Sequence, residues 1–236
     1  MKKTIRQAWS ELDKDGRLMI AREYISRIVM ALILFLCSGN WNWLNAWLLL
    51  LAALLLIMLV HFFVVKNNPD LYNERGKKHT DTKKFDRILL PLYALLGYAV
   101  LFTAGFDERF GWSDLPAIFL LFGSLLMLLT GLVTTSAMRA NQFFSSTVRI
   151  QHERGQHVID KGPYAIVRHP GYLGGSLFYL GTFFMLDSLW VMLPAALTII
   201  VLVIRTKLED DTLQRELDGY KEYTRKVRYR LIPGIW

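Results

Sequence analysis

Residues 28–65 read IVMALILFLCSGNWNWLNAWLLLLAALLLIMLVHFFVV, 38 positions without an Asp, Glu, Lys or Arg. A helix crosses a bilayer with about 20 apolar residues, so this run is long enough to cross twice. It can reverse at Ser38-Gly39-Asn40-Trp41-Asn42, because Ser, Gly and Asn are the residue types that punctuate regular structure. Outward from this run, uncharged stretches recur at 88–106, 115–138, 170–186 and 188–204. With the first run split in two, the pattern predicts an all-α fold, a polytopic integral membrane bundle of about six transmembrane helices. The composition agrees, with 53% hydrophobic residues, 14 Phe and 7 Trp in 236 residues. An ordinary soluble domain does not carry uncharged stretches of this length.

The 28 Lys and Arg divide by side of the membrane. They populate the N-terminal arm (Lys2, Lys3, Arg6 and onward to Arg27), the segment Lys66 to Arg87, the segment Arg139 to Arg168, and the tail from Arg205. The alternate loops hold only Arg109, beside Asp107, Glu108, Asp114 and Asp187. Lys and Arg favour cytoplasmic loops, so both termini and the basic segments are expected in the cytoplasm, with Trp41, Trp43 and Trp47 near one membrane interface. A net charge of +8 spread over four juxtamembrane segments points to anionic headgroups rather than nucleic acid. The single Cys37 excludes an internal disulfide or multi-cysteine metal site and reads as a small packing residue. The first 24 residues are mixed in charge and lead into no short apolar core with a small-residue cleavage site, so no cleaved leader is expected.

Chemistry is expected where the cytoplasmic segments cap the inner helix ends. The chain divides accordingly into 1–150, four crossings with their loops, and 151–236, which supplies the cap, two more crossings and a tail. In the second part, Gly162-Pro163 marks a turn, His169 precedes a proline and is expected to be extended, and Pro170 suits a first helical position. A fifth crossing would start there, its free N–H groups near Gly171 to Leu173 turned to the cytoplasm as an anion site, with Arg168, His169 and Tyr172 at hand. The bland alternative is helix packing through Gly171, Gly174, Gly175 and Gly181, with Arg168 an anchor and Tyr172 an interfacial aromatic. Beyond the last crossing, Arg205 and Glu209 stand four apart on one helix face, suited to a ligand carboxylate, amine or ribose, or simply solvated. Tyr220, Tyr223, Val227, Tyr229, Leu231 and Ile232 alternate with Lys and Arg, which predicts an amphipathic C-terminal helix on the membrane or closing over a site, ended by Pro233. His61 on an apolar face reads as a packing histidine, and Thr130, Thr134, Thr135 and Ser136 as cavity-facing or bonded back to their own helix. No metal-ligand, Ser-His-Asp, dinucleotide or P-loop pattern is present, so no metal is expected.

Gly162-Pro163-Tyr164 leading to Arg168-His169-Pro170-Gly171-Tyr172-Leu173-Gly174, then Arg205-x-x-x-Glu209, Gly219-Tyr220-x-x-Tyr223 and Leu231-Ile232-Pro233, resembles the isoprenylcysteine carboxyl methyltransferase family. That family belongs with the phospholipid N-methyltransferases. Asn68-Pro69-Asp70-Leu71 with Glu74-Arg75 resembles a loop of bacterial relatives. The resemblance implies S-adenosyl-L-methionine as cofactor, lined by Gln151, Gln156, His157, Val158, Ile159, Tyr164, His169, Pro170, Gly171, Tyr172 and Glu209. It implies Arg205 as the residue that holds the acceptor, a lipidic or small hydrophobic molecule, by family a prenylcysteine-like carboxylate. The chain departs from the pattern at Asp210, where the family has Glu, and in a shorter segment between Gln151 and Tyr164. Two other classes stay open. An NADPH-dependent reductase of sterol-reductase type shares the His-Pro-x-Tyr start but has Asn and Glu where this chain has Gly171 and Gly175. A non-catalytic scaffold or transporter would show broken or charged helices at mid-membrane.

Overall fold

The computed structural model describes residues 5–236; Lys2 and Lys3 of the basic arm lie outside the described residues. A short α1 (Ile5–Ser10) precedes α2 (Lys14–Ser38), which starts on Asp13, whose carboxylate accepts from Gly16 N at 2.8 Å. The helix stops at Gly39, whose φ of 66° is the left-handed conformation that glycine adopts at a helix C-terminus. The chain then reverses into α3 (Leu44–Val60), so the turn read in the sequence is where the first apolar run divides. At its end α3 widens into a π-helical turn, His61–Val65, before α4 (Pro69–Gly76) begins with proline in its first turn. The long helices α5 (Asp86–Phe110) and α6 (Ile118–Ala140) follow. An irregular segment, 141–169, holds two 3-10 turns at His152–Arg154 and Gly162–Ala165. After it come α7 (Pro170–Met185), α8 (Met192–Glu216) and a short α9 (Tyr220–Lys226). Among the described residues there is no strand.

Among the described residues, three helical stretches are long and apolar enough to cross a membrane: Leu44–Val65, Asp86–Phe110 and Ile118–Ala140. The other long helices do not meet that length and apolarity by themselves, for reasons visible in their boundaries. Lys14, Asp15, Arg17, Arg22, Glu23 and Arg27 occupy the first half of α2. The 16 residues of α7 rise only about 24 Å, and α8 turns charged from Arg205 onward. An uncharged run and a helix are thus different objects here, because the helices run on past the apolar stretches.

Small residues set the closest approach in the bundle. A Cβ on Gly123 of α6 would lie 2.9 Å from Gly181 O of α7, and one on Gly174 would lie 2.4 Å from Thr134 Oγ1. The packing account of Gly174 and Gly181 therefore holds. Cys37 likewise packs α2 on α5, 2.5 Å from where a Gly105 Cβ would stand. Around these contacts Leu34, Phe35, Leu49, Val100, Ala104 and Met185 form the buried core. Thr130 donates back to Leu126 O of its own helix, and His61 is a buried, partnered side chain, 2.7 Å from Glu23 Oε2 and 3.3 Å from Tyr24 Oη.

The loops segregate to two ends. At one, Asp107 accepts from Ser113 and Ser188, Leu115 N donates to Asp187, and Trp112 meets Trp190 edge-on at 6.2 Å. Trp41 and Trp47 are exposed at this same end, which holds Arg109. At the other, Arg149 draws together Glu74, Asp81 and Glu153, and Lys83 N donates to Val148 O. The basic segments gather there.

Candidate functional site

A cavity of about 350 Å³ opens at the basic end of the bundle. Its walls come from the 141–159 segment, the first turn of α7, α8 between Arg205 and Leu217, and α9, with Leu90 and Tyr93 of α5 reaching in. Gln151, Gln156, His157, Val158, Ile159, Tyr164, His169, Gly171, Tyr172, Arg205 and Glu209 all line it. Pro170 does not: it is buried as the first residue of α7, where its fixed φ starts the helix, and it faces no part of the cavity wall. The lining draws on both sides of position 150, so the division between 150 and 151 passes through the site.

The centre of the site is carried by α7 and α8. Tyr172 donates its hydroxyl to Glu209, and its ring lies under the Arg205 guanidinium, 5.4 Å from Cζ. Arg205 is also committed elsewhere. Its Nε lies 2.5 Å from Asp86 Oδ1, its Nη2 3.1 Å from Asp86 Oδ2 and 2.7 Å from Ser146 O. Asp86 is fully enclosed and accepts from Val148 N as well. This two-point pair ties α5, α8 and the 141–151 segment at the floor of the cavity. The sequence reading passed over Asp86, since nothing local to a helix-starting Asp names a partner 119 positions away.

A second hub lies one residue on. Asp210, which has no exposure, accepts from Arg168 Nε at 2.7 Å and Nη2 at 3.1 Å, from His169 Nε2 at 3.1 Å, from Tyr220 Oη at 3.1 Å and from Arg230 Nε at 2.9 Å. Burial works against its charge, but the hydrogen bonds from His169 and Arg168 prevail and hold the carboxyl far below the usual range. Arg168 also donates to the carbonyls of Val227 and Arg228, while Arg168 N and His169 N donate to Tyr229 O and Arg230 O. Arg168 is therefore a structural tie between the α7 entrance and the tail. The tail itself does not lie away from the bundle. Tyr220, Tyr223 and Val227 pack with Val158, Leu213 and Leu217, and Tyr223 donates to Tyr164 O, so the tail forms one wall of the cavity.

The 141–159 wall holds its own shape. Gln151 is almost fully buried; its Nε2 donates to Phe143 O, its N–H donates to Gln156 Oε1, and Arg154 Nη1 donates to its Oε1. His157 meets the Phe143 ring edge-on at 5.0 Å, and Asn141 donates to the Tyr164 hydroxyl at 3.1 Å. Phe143, Phe144 and Asn141 were missed as lining residues; an aromatic pair straight after a helix C-terminus is the signal that could have found them.

The wall is thus an aromatic-edged cradle with one carboxylate, Glu209, held by a tyrosine and able to accept from hydroxyls or an amine. The donor set suits a nucleoside-bearing cofactor: aromatic edges for a base, Glu209 for a ribose, and the Gly171 approach, where a Cβ would lie 2.6 Å from the Phe144 ring. Residues 118–218 match the family model described as phospholipid methyltransferase, and no curated protein matches the chain.

Proposed function

We propose, for a chain whose residues 118–218 match the phospholipid methyltransferase family model, that it transfers a methyl group from S-adenosyl-L-methionine to a lipidic or small hydrophobic acceptor. The observation that carries this is the Tyr172–Glu209 pair set across the cavity from the 151–159 wall, between two helices fixed by the Asp86 and Asp210 hubs. The cofactor would be held by Gln156 to Ile159, Tyr164, His169, Gly171, Tyr172 and Glu209, and it supplies an electrophilic methyl on a sulfonium. In-line displacement asks mainly for positioning and for exclusion of water. The residues of this chain meet those demands in different ways. Glu209 orients hydroxyls, and Tyr172 fixes Glu209. With Nε and Nη2 engaged by Asp86, Arg205 keeps Nη1 to orient an acceptor. A carboxylate acceptor of prenylcysteine type needs no base; an amine acceptor of phosphatidylethanolamine type would pass its proton to Glu209 where the cofactor leaves that carboxylate a free oxygen. The position of Leu90, Tyr93 and Leu202 in the wall favours an acceptor arriving from within the bilayer. The basic segments favour a cytoplasmic site with both termini on that side.

Calorimetric titration of the detergent-purified chain with S-adenosylhomocysteine and, separately, NADPH tests this reading. Micromolar binding of the adenosyl ligand, lost in Glu209→Ala and Tyr172→Ala, is the expected result. NADPH binding with silence toward the adenosyl ligand would overturn it in favour of a reductase.

A further inference from the structure

Four arginines line the cavity, and three are committed within the fold. Arg149 holds Glu74, Asp81 and Glu153; Arg168 holds Asp210; Arg205 holds Asp86. Arg75 differs. Its Nε and Nη1 are closed off from solvent and have no hydrogen-bond partner. The adjacent carboxylate, Glu74, is turned to Lys77 and Arg149. The Arg75 guanidinium instead lies over the Phe144 ring, with Cζ 5.4 Å from its centre, and that ring in turn abuts Gly171 at the start of α7. An aromatic face offsets part of the desolvation of a cation but supplies no hydrogen-bond acceptor. Enclosed polar nitrogens without acceptors are rare in folded proteins, and each asks for a partner. The planar fork of arginine matches the paired oxygens of a carboxylate or phosphate.

We propose that Arg75 is the anion-recognising residue of the cavity, its guanidinium taking a carboxylate or phosphate of a bound ligand. The identity of that ligand rests on the methyltransferase reading. The oxyanion then has two sources, the carboxylate of the cofactor or an anionic group of the acceptor, and the place of Arg75 in the cavity wall beside Phe144 suits either. Phe144 is the residue that transmits its placement, since it touches both Arg75 and the α7 start.

The test compares the full chain with Arg75→Gln and Arg75→Lys. S-adenosylhomocysteine and 5′-methylthioadenosine, which lacks the amino-acid carboxylate, are titrated calorimetrically. Initial rates are measured with a prenylcysteine carboxylate and with phosphatidylethanolamine as acceptors. If the anion is the cofactor's, Arg75→Gln weakens S-adenosylhomocysteine by about tenfold or more, about 1.4 kcal/mol, and leaves methylthioadenosine unmoved. If it is the acceptor's, adenosyl affinities hold and the acceptor KM rises with kcat retained. Arg75→Lys recovers part of either loss. Unchanged adenosyl affinity together with unchanged acceptor KM overturns the proposal. Should the wild type bind no adenosyl ligand, it is the methyltransferase reading that falls. Inorganic phosphate then decides about Arg75: stabilisation of the wild type but not of Arg75→Gln supports the proposal, and equal stabilisation overturns it.

Discussion

Asp210 sits with no exposure among Arg168, His169, Tyr220 and Arg230, and one carboxylate thereby joins α7, α8, α9 and the tail. Removing its charge leaves buried cations unpaired, so Asp210→Asn is expected to cost about 3–5 kcal/mol, read as a lowered unfolding temperature in detergent. Its carboxyl is depressed in the folded state, so its contribution is complete above the unfolded value of about 4 and is lost as pH falls through the lower folded value. The unfolding difference between wild type and Asp210→Asn is therefore expected to be constant from neutral pH down to about pH 5 and to shrink in stronger acid; a difference that shrinks between pH 8 and 6 would contradict it. Gly174 offers a plainer case. A branched side chain there meets Thr134 Oγ1, and Gly174→Val is expected to lose about 1–3 kcal/mol through overpacking.

At the scale of elements, one side chain joins three of the basic-end segments. Arg149 is buried and gathers Glu74 from α4, Asp81 from the following loop and Glu153 from the first 3-10 turn. Hydrogen bonding to Arg149 holds the carboxyls of Asp81 and Glu153 below their usual range, burial opposing it most at Asp81. Two of the three acids face solvent, so the loss in Arg149→Gln is local rather than global. Amide hydrogen exchange is expected to rise in 77–85 and 150–156 while α6 and α7 stay protected. Exchange unchanged in both segments would remove Arg149 as their tie. The charge count in the sequence foresaw these segments at one end of the molecule, but it treated Arg149 and Arg168 as topological markers. Their partners lie far along the chain, and no spacing rule links Arg168 to Asp210 or Arg205 to Asp86.

For the molecule as a whole, the cavity stands where the basic cap meets the bundle, and its α5 and α8 walls carry Leu90, Tyr93 and Leu202. Narrowing that wall with Leu90→Trp is expected to raise the KM of a long-chain acceptor by about tenfold and to leave S-adenosylhomocysteine affinity as it was. A matched loss of both would mean that one undivided pocket serves both ligands. The apolar runs, the turn at Gly39, the His169-Pro170 helix start and the asymmetry of charge were legible in the linear chain, because each depends on local propensity or on transfer to lipid, which neighbours in sequence decide. So was part of the cavity lining, through the motif from Gln151 to Tyr172 and the Arg205–Glu209 pair, while the 141–150 wall, Arg75 and the α5 residues were not. The expectation of six crossings was read from the same uncharged runs. The charged halves of α2 and α8 and the short α7 leave three helical stretches that meet length and apolarity by themselves. Only the tertiary structure decided that Arg205 is paired with Asp86, that Asp210 knits the tail to α7, and that Arg75 keeps enclosed nitrogens without a partner beside the cavity. Pairing among buried charges is set by which helices pack together, and that packing is a long-range outcome of glycine contacts and core shape rather than of any local run of residues.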